Sequence, residues 1–213
     1  MLTVEGLEVE IGSVRILRGV SLDIPAGAMV GLIGRNGAGK TTFMRTVMGL
    51  LPARAGRIEI EGVDLRKAAS QQRARLGIGY MPEDRKLVPD FTVEENIRLP
   101  AWATGEEDVA ARMEWIHRLM PEMRDFQQRR ANQLSGGQQK MVALARALVA
   151  GRRLLLLDEP FEGLAPALAR RFAEVLAELR TSGLAVVVAD SDERHMADLL
   201  SGLYRIERGE VTA

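Results

Sequence analysis

The strongest constraint in the chain is a junction. The apolar run Met29-Val30-Gly31-Leu32-Ile33 passes directly into Gly34-Arg35-Asn36-Gly37-Ala38-Gly39-Lys40-Thr41, and the helix-forming stretch 40–50 follows at once. A short apolar run bounded by turn residues has the length of a buried strand. The closely spaced glycines let the backbone curl so that successive N–H groups point inward, making a concave anion site. A helix beginning near Gly39 adds the positive end of its dipole. Glycine, four residues, then Gly-Lys-Thr is the spacing of a phosphate-binding loop. Lys40 is expected to reach the β- and γ-phosphates of a nucleotide, and the Thr41 hydroxyl to ligate Mg²⁺. The expected nucleotide-binding residues are therefore Gly34, Arg35, Asn36, Gly37, Ala38, Gly39, Lys40, Thr41 and Thr42.

The rest of the chain alternates in a way that suits such a junction. Residues 2–11 and 16–24 read as strands, with Pro25-Ala26-Gly27 a turn, and 57–60 as another strand. Pro52 and Gly56 are read as closing the helix that starts at Lys40. From Phe91 to about Arg130 the pattern is helical, with Thr92 as N-cap followed by Glu94 and Glu95. The last part predicts helix over 137–150, strand over 154–157, helix over 166–180 and strand over 185–189. Alternating strand and helix implies a mostly parallel sheet covered on both faces. The fold class is therefore α/β, with an antiparallel β part at the N-terminal end and a helical insertion. We read 1–213 as a single domain: 1–83 and 134–213 form the core, and 84–133 is the helical and lid region.

Composition narrows the function classes. At 46% hydrophobic and 27% charged the chain has ordinary globular composition. Its formal net charge of +0 gives no global attraction to nucleic acid. The absence of cysteine excludes disulfide frameworks and thiolate metal sites. No apolar run approaches the length of a bilayer span, and no signal-peptide pattern opens the sequence. A role at a membrane would be peripheral, on the cytoplasmic side.

Two further motifs extend the phosphate loop. The run Leu154-Leu155-Leu156-Leu157 emerges into Asp158-Glu159, and ligands of parallel sheets collect beyond the carboxyl ends of strands. Asp158 is suited to holding Mg²⁺ through water, and Glu159 to polarising a water that attacks the γ-phosphate. Leu134-Ser135-Gly136-Gly137-Gln138 opens another helix, where the Ser135 hydroxyl and the following amides form a second anion-binding cap. Two phosphate-binding helix starts in one chain are redundant unless they serve different nucleotides.

This ordered set resembles the ATP-binding subunits of ABC transporters over essentially the whole chain. The resemblance implies ATP with Mg²⁺ and a second ATPase subunit, identical or homologous. It also implies separate transmembrane permease subunits. Each ATP would lie between one subunit's phosphate loop and Ser135, Gly136, Gly137 and Gln138 of the other. The strings Gly79 to Arg85, Phe91 to Ile97 and Glu162-Gly163-Leu164-Ala165-Pro166 are similar to the branched-chain amino acid transporter ATPases, with urea and amide importers close by. A soluble non-transport ABC ATPase and a weakly active regulatory half of an asymmetric pair stay open as alternatives.

Three positions depart from the pattern. Glu83 stands where the family commonly has a Gln that contacts Mg²⁺, and a carboxylate can still accept from metal-bound water. Ile11 stands where an aromatic ring stacks on adenine. It can cover the base but lacks a stacking contribution of about 1 kcal/mol, which predicts relaxed base selectivity. Ser191 stands where a His contacts the γ-phosphate, and it can donate a hydrogen bond but carries no positive charge. This predicts slowed hydrolysis with binding retained. His195, about one helical turn further on, is read as a surface histidine, and His117 with Arg124, Arg129 and Arg130 as a solvated or salt-bridged surface.

Overall fold

The uninterrupted apolar strands are the key to the architecture. In the computed structural model, which describes residues 1–105 and 109–212, strands β3 (Met29–Ile33), β7 (Leu154–Asp158) and β8 (Ala185–Asp190) are buried along their whole length. Successive side chains of a strand point to opposite faces. Leu155, Leu157, Val186 and Val188 enter one core, whereas Leu154, Leu156, Ala185 and Val187 enter another. With a core on each face, these three strands leave no position for a polar residue until they end.

That sheet has six strands in the order β10-β9-β3-β8-β7-β6, where β6 is Ile78–Met81, β9 is Gly202–Glu207 and β10 is Glu210–Thr212. All pairings are parallel except β9 with β10. A second sheet, order β2-β1-β4-β5, is antiparallel and is formed by β1 (Leu2–Ile11), β2 (Val14–Ile24), β4 (Ala55–Ile60) and β5 (Val63–Asp64). Helix α1 (Lys40–Val47) shares the core between the two sheets through Phe43, Met44 and Val47. Helices α3 (Val93–Thr104), α4 (Val109–Leu119), α5 (Gly136–Ala150) and α6 (Pro166–Arg180) share the other core. Along α6 the buried residues Phe172, Val175, Leu176 and Leu179 recur at helical spacing. Each such side chain contributes roughly 1.5–3 kcal/mol when fully buried.

Several boundaries differ from those expected, each for a local reason. Helix α1 ends at Val47, not at Leu50. Gly49 takes a left-handed conformation (φ 70°), and the Gly49 and Leu50 N–H groups turn back to the Thr46 and Arg45 carbonyls, a common way to end a helix. Pro52 and Gly56 therefore lie beyond the end and do not cause it. Thr92 caps α3 as expected, in a reciprocal capping box with Glu95. The helical run stops well before Arg130, because Pro121 cannot continue α4. Only short 3-10 turns follow, at Pro121–Asp125 and Ala131–Gln133. Helix α2 (Ser70–Arg75) and strands β5, β6, β9 and β10 lie outside the elements expected from sequence. Gly79 in β6 reads as a breaker in isolation. Here it permits close packing, since a Cβ would sit 2.1 Å from the Ala147 carbonyl of α5.

The methionines behave as packing residues: Met44, Met113, Met120 and Met123 are buried. Arg124 pairs with Glu114 at the surface, and Arg129 and Arg130 are exposed. His117 differs from the expected solvated histidine. It is half-buried, its Nε2 has no hydrogen-bond partner among the described residues, and burial lowers its pKa.

Candidate nucleotide site

The carboxyl ends of β3, β8 and β7 lie side by side, with Ile33 opposite Asp190 and Asp158 opposite Ala189. The loop after β3 is tied to this edge by a Gly34 N–H that donates to the Asp190 carbonyl at 3.1 Å. Gly37 (φ 81°) and Gly39 (φ 115°) adopt backbone angles that side chains disfavour, and Gly39 then caps α1. The phosphate loop thus reaches a helix N-terminus whose first N–H groups are unpaired within the helix.

Lys40 is folded back into the loop. Its Nζ donates to the Gly34 and Arg35 carbonyls at 2.5 and 3.2 Å and pairs with Glu159 Oε1 at 2.8 Å. Both side chains are buried, at 4% and 9% exposure, so this ion pair is largely out of water. The Glu159 backbone is left-handed (φ 48°). That conformation costs roughly 1–2 kcal/mol for a residue with a Cβ. The Glu159 N–H donates to the Ala189 carbonyl of β8 at 2.8 Å.

Asp158 is fully buried at the end of β7. The Thr41 hydroxyl donates to its Oδ1 at 3.1 Å, and the Tyr80 hydroxyl of β6 donates to its Oδ2 at 3.1 Å. Burial pushes the Asp158 carboxyl up to about 6, against the opposing effect of these two hydrogen bonds. The Tyr80 phenol is pushed up as well, by burial first and then by Asp158. A buried carboxylate with only neutral donors is ready for a cation. Among the described residues no group of three or more His, Cys, Asp or Glu side chains forms a metal cage. Thr41 and Asp158 instead provide the sparse oxygen set that suits Mg²⁺, which keeps waters and draws its remaining ligands from phosphates.

A cavity of about 330 Å³ has Asn36, Gly37, Gly39, Lys40, Thr41, Thr42, Glu83 and Glu159 of the expected residues in its lining; Gly34, Arg35, Ala38, Asp158 and Ser191 do not line it. Glu83 is exposed at its mouth, its carboxyl raised by burial, then by Glu162 and Glu159. Ser191 follows the edge residue Asp190, and its N–H and hydroxyl donate to Asp190 Oδ1 at 2.7 and 3.4 Å. Ile11 stands apart: it is 47% exposed on the β1–β2 hairpin and does not line the cavity, whereas Ile16 of β2 does. No helical turn connects Ser191 with His195, because the described segment after β8 is irregular. His195 is exposed and stacks on the Phe161 ring at 5.1 Å between centroids.

Ser135, Gly136, Gly137 and Gln138 open α5 outside this cavity. The Ser135 Oγ accepts from the Gln138 N–H at 3.2 Å, and Gln138 Oε1 accepts from the Ser135 N–H at 3.0 Å. Ser135 and Gln138 thus form a reciprocal capping box at the helix start. Sequence reasoning assigned no role to Tyr80, Ile16, Glu162 or the buried Lys140. None of them stood out along the chain; Lys140, on a helix that also carries Arg146, reads as an ordinary surface charge, yet it is buried.

A parallel sheet whose central strand opens into a glycine loop, beside a strand that ends in two acids, defines a P-loop nucleotide hydrolase. The ABC transporter family model matches residues 17–162. The chain is 34% identical to the branched-chain amino acid transport ATP-binding protein BraG of Pseudomonas aeruginosa, over 99% of this chain and 91% of that protein. It is 33% identical to the lipopolysaccharide export ATP-binding protein LptB of Haemophilus influenzae, over 100% of this chain and 89% of that protein. A dimeric ATP-binding cassette in a post-hydrolysis state with ADP and Pi superposes with a TM-score of 0.87 at 26% identity. That match covers 100% of this chain and 97% of the cassette. The chain belongs to the ABC transporter ATP-binding family and is an ATPase, the ATP-binding subunit of a transporter. None of its described helices is long and apolar enough to cross a membrane.

Proposed function

We propose that this subunit powers import of branched-chain amino acids or similar small solutes, as one half of an ATP-sandwich dimer on the inner face of the membrane. The observation that carries the dimer is the signature cap. Ser135 to Gln138 opens a helix on this chain yet lies outside the chain's own phosphate cavity, so the cap is free to meet the nucleotide of a second subunit. The dimeric form of a similar cassette supports the same reading.

In this reading the residues 34–42 cradle the phosphates, Lys40 neutralises the β- and γ-phosphates, and Thr41 and Asp158 hold Mg²⁺ with Glu83 at its water shell. The ion would neutralise charge that builds on the phosphate oxygens. Glu159 polarises the attacking water once ATP draws Lys40 away from it. Ser191 donates a neutral hydrogen bond near the γ-phosphate, and Ile11 covers the base. Ser191→His should raise kcat on the order of tenfold, since a cationic donor stabilises developing charge better than a hydroxyl. An unchanged kcat would remove Ser191 as the limiting position. Ile11→Tyr should sharpen the ATP-over-GTP preference measured by competitive binding, and equal discrimination by both forms would refute a role for Ile11.

A groove of about 660 Å³ beside the helical part supports a permease partner. Its lining includes Leu50, Tyr80, Glu83, Lys86, Pro100 and Arg146, a mix of apolar and charged side chains that suits an amphipathic helix. Glu83 borders both this groove and the phosphate cavity. The similarity to BraG favours amino-acid import, whereas that to LptB leaves export as the second reading. The test is ATP turnover of the purified chain, alone and reconstituted with permease and ATPase subunits encoded beside it. Stimulation only in the full assembly, with solute uptake into vesicles, is expected. Full activity without a membrane partner would point to a soluble ATPase.

A further inference from the structure

Helix α5 sends one buried cation toward the catalytic loop, and that cation has no carboxylate within ion-pair distance among the described residues. Lys140 is 5% exposed, and its Nζ donates to the Glu159 carbonyl at 2.7 Å and to the Glu162 carbonyl at 2.5 Å. These two carbonyls bracket the turn 159–162, which is closed by the Glu162 N–H donating to the Glu159 carbonyl at 3.3 Å. A buried ammonium that satisfies main-chain oxygens fixes a backbone shape, much as a bound monovalent cation would. Offsetting negative charge comes from the more distant carboxylates of Glu162, Asp190 and Glu159. Asp190 is itself buried on the neighbouring strand, and its Oδ2 has no hydrogen-bond partner among the described residues.

The backbone that Lys140 grips is the one that most needs holding. Glu159 is left-handed at φ 48°. The strand β8 holds its N–H, and Lys140 holds its carbonyl. Lys140 also stands one helical turn after Gly136, so a displacement of the Ser135 cap moves Nζ and the Glu159 carbonyl together.

We propose that Lys140 is a positioning residue for ATP hydrolysis: it locks the 159–162 turn so that the Glu159 carboxylate is aimed at the phosphate cavity, and it makes that aim respond to the signature helix. The inference rests on the reading of Glu159 as the group that polarises water. Loss of Lys140 should therefore disturb chemistry more than nucleotide binding, because its hydrogen bonds go to the 159–162 turn and not to residues 34–42.

The test is Lys140→Met, which keeps the length of the side chain and removes the charge, measured by steady-state and single-turnover ATP hydrolysis together with thermal unfolding. We expect kcat to fall by roughly 10–100-fold with KM within about threefold, as for loss of a group acting mainly in the transition state. Thermal stability should fall modestly, because the Glu159 and Glu162 carbonyls lose their buried donor, while the turnover loss persists well below the unfolding temperature and so does not track it. In a Glu159→Gln background the same substitution should add nothing to the loss, since both act through one carboxylate. Lys140→Arg should recover much of the turnover, and Lys140→Gln carries the test if the Met variant does not fold. Unchanged kcat, equal loss in the Glu159→Gln background, or a loss that tracks reduced thermal stability would overturn the proposal. Full turnover by Glu159→Gln alone would instead overturn the reading of Glu159.

Discussion

Glu159→Gln is expected to lower ATP turnover by about 10²–10⁴-fold while nucleotide binding persists, the range typical for a positioned general base. Glutamine keeps the shape of the side chain and can still accept from Lys40 Nζ, which sits 2.8 Å from Oε1. It cannot take a proton from water. The loop residues 34–42 proposed to hold the phosphates are untouched, so ATP should accumulate unhydrolysed. As one half of the proposed ATP-sandwich dimer, the variant should also elute as an ATP-dependent dimer in size-exclusion chromatography. Turnover near the level of the unaltered protein would show that another group activates the water.

Lys40→Met should have two separable effects. Binding of ATP should be lost, because the cation proposed to meet the β- and γ-phosphates is gone. The nucleotide-free protein should also become less stable, since Glu159 would keep a buried charge without its partner. Breaking a buried ion pair from one side costs about 3–5 kcal/mol. At roughly 2–4 °C of Tm per kcal/mol for a chain of this size, the fall in Tm should be on the order of 10 °C. The double variant Lys40→Met/Glu159→Gln should recover most of that fall and remain unable to bind ATP. Calorimetry and a fluorescent-nucleotide titration separate the two. A single variant as stable as the unaltered protein, or a double variant no better than the single, would contradict the buried pair.

The same pair keeps two opposite charges together at the end of the sheet. Lys40 is held by Glu159 and by the Gly34 and Arg35 carbonyls, so neither charge faces water alone. Phosphate oxygens would compete for Lys40 and release the carboxylate at the moment a substrate is present. Asp158 follows a similar logic with a different partner. Among the described residues its buried carboxyl is held by the Thr41 and Tyr80 hydroxyls, and a cation beside it would offset the cost of burying its charge.

Much of this was legible along the chain because local chemistry demands it. A backbone that must curl around phosphate requires glycine at 37 and 39. A strand buried on both faces requires an unbroken apolar run, as in 154–157 and 185–189. A helix whose first N–H groups lack partners requires a cap such as Thr92 or Ser135. Each of these requirements acts within a few residues, so the α/β class, the glycine loop before α1, the acidic strand end and the Ser135 cap of α5 follow from sequence by itself. Tertiary structure decided what depends on residues far apart. Gly79 looks like a breaker until α5 lies against β6, and Tyr80 looks like an ordinary strand residue until β7 brings Asp158 beside it. Lys140 looks like a surface charge on a helix until the 159–162 turn closes over it. His195, expected one helical turn beyond Ser191, stacks on Phe161 because no helix forms there. Periodicity records which faces are buried, but it does not record which distant carbonyl or ring will complete a buried polar group. That is settled only when the sheets and helices pack.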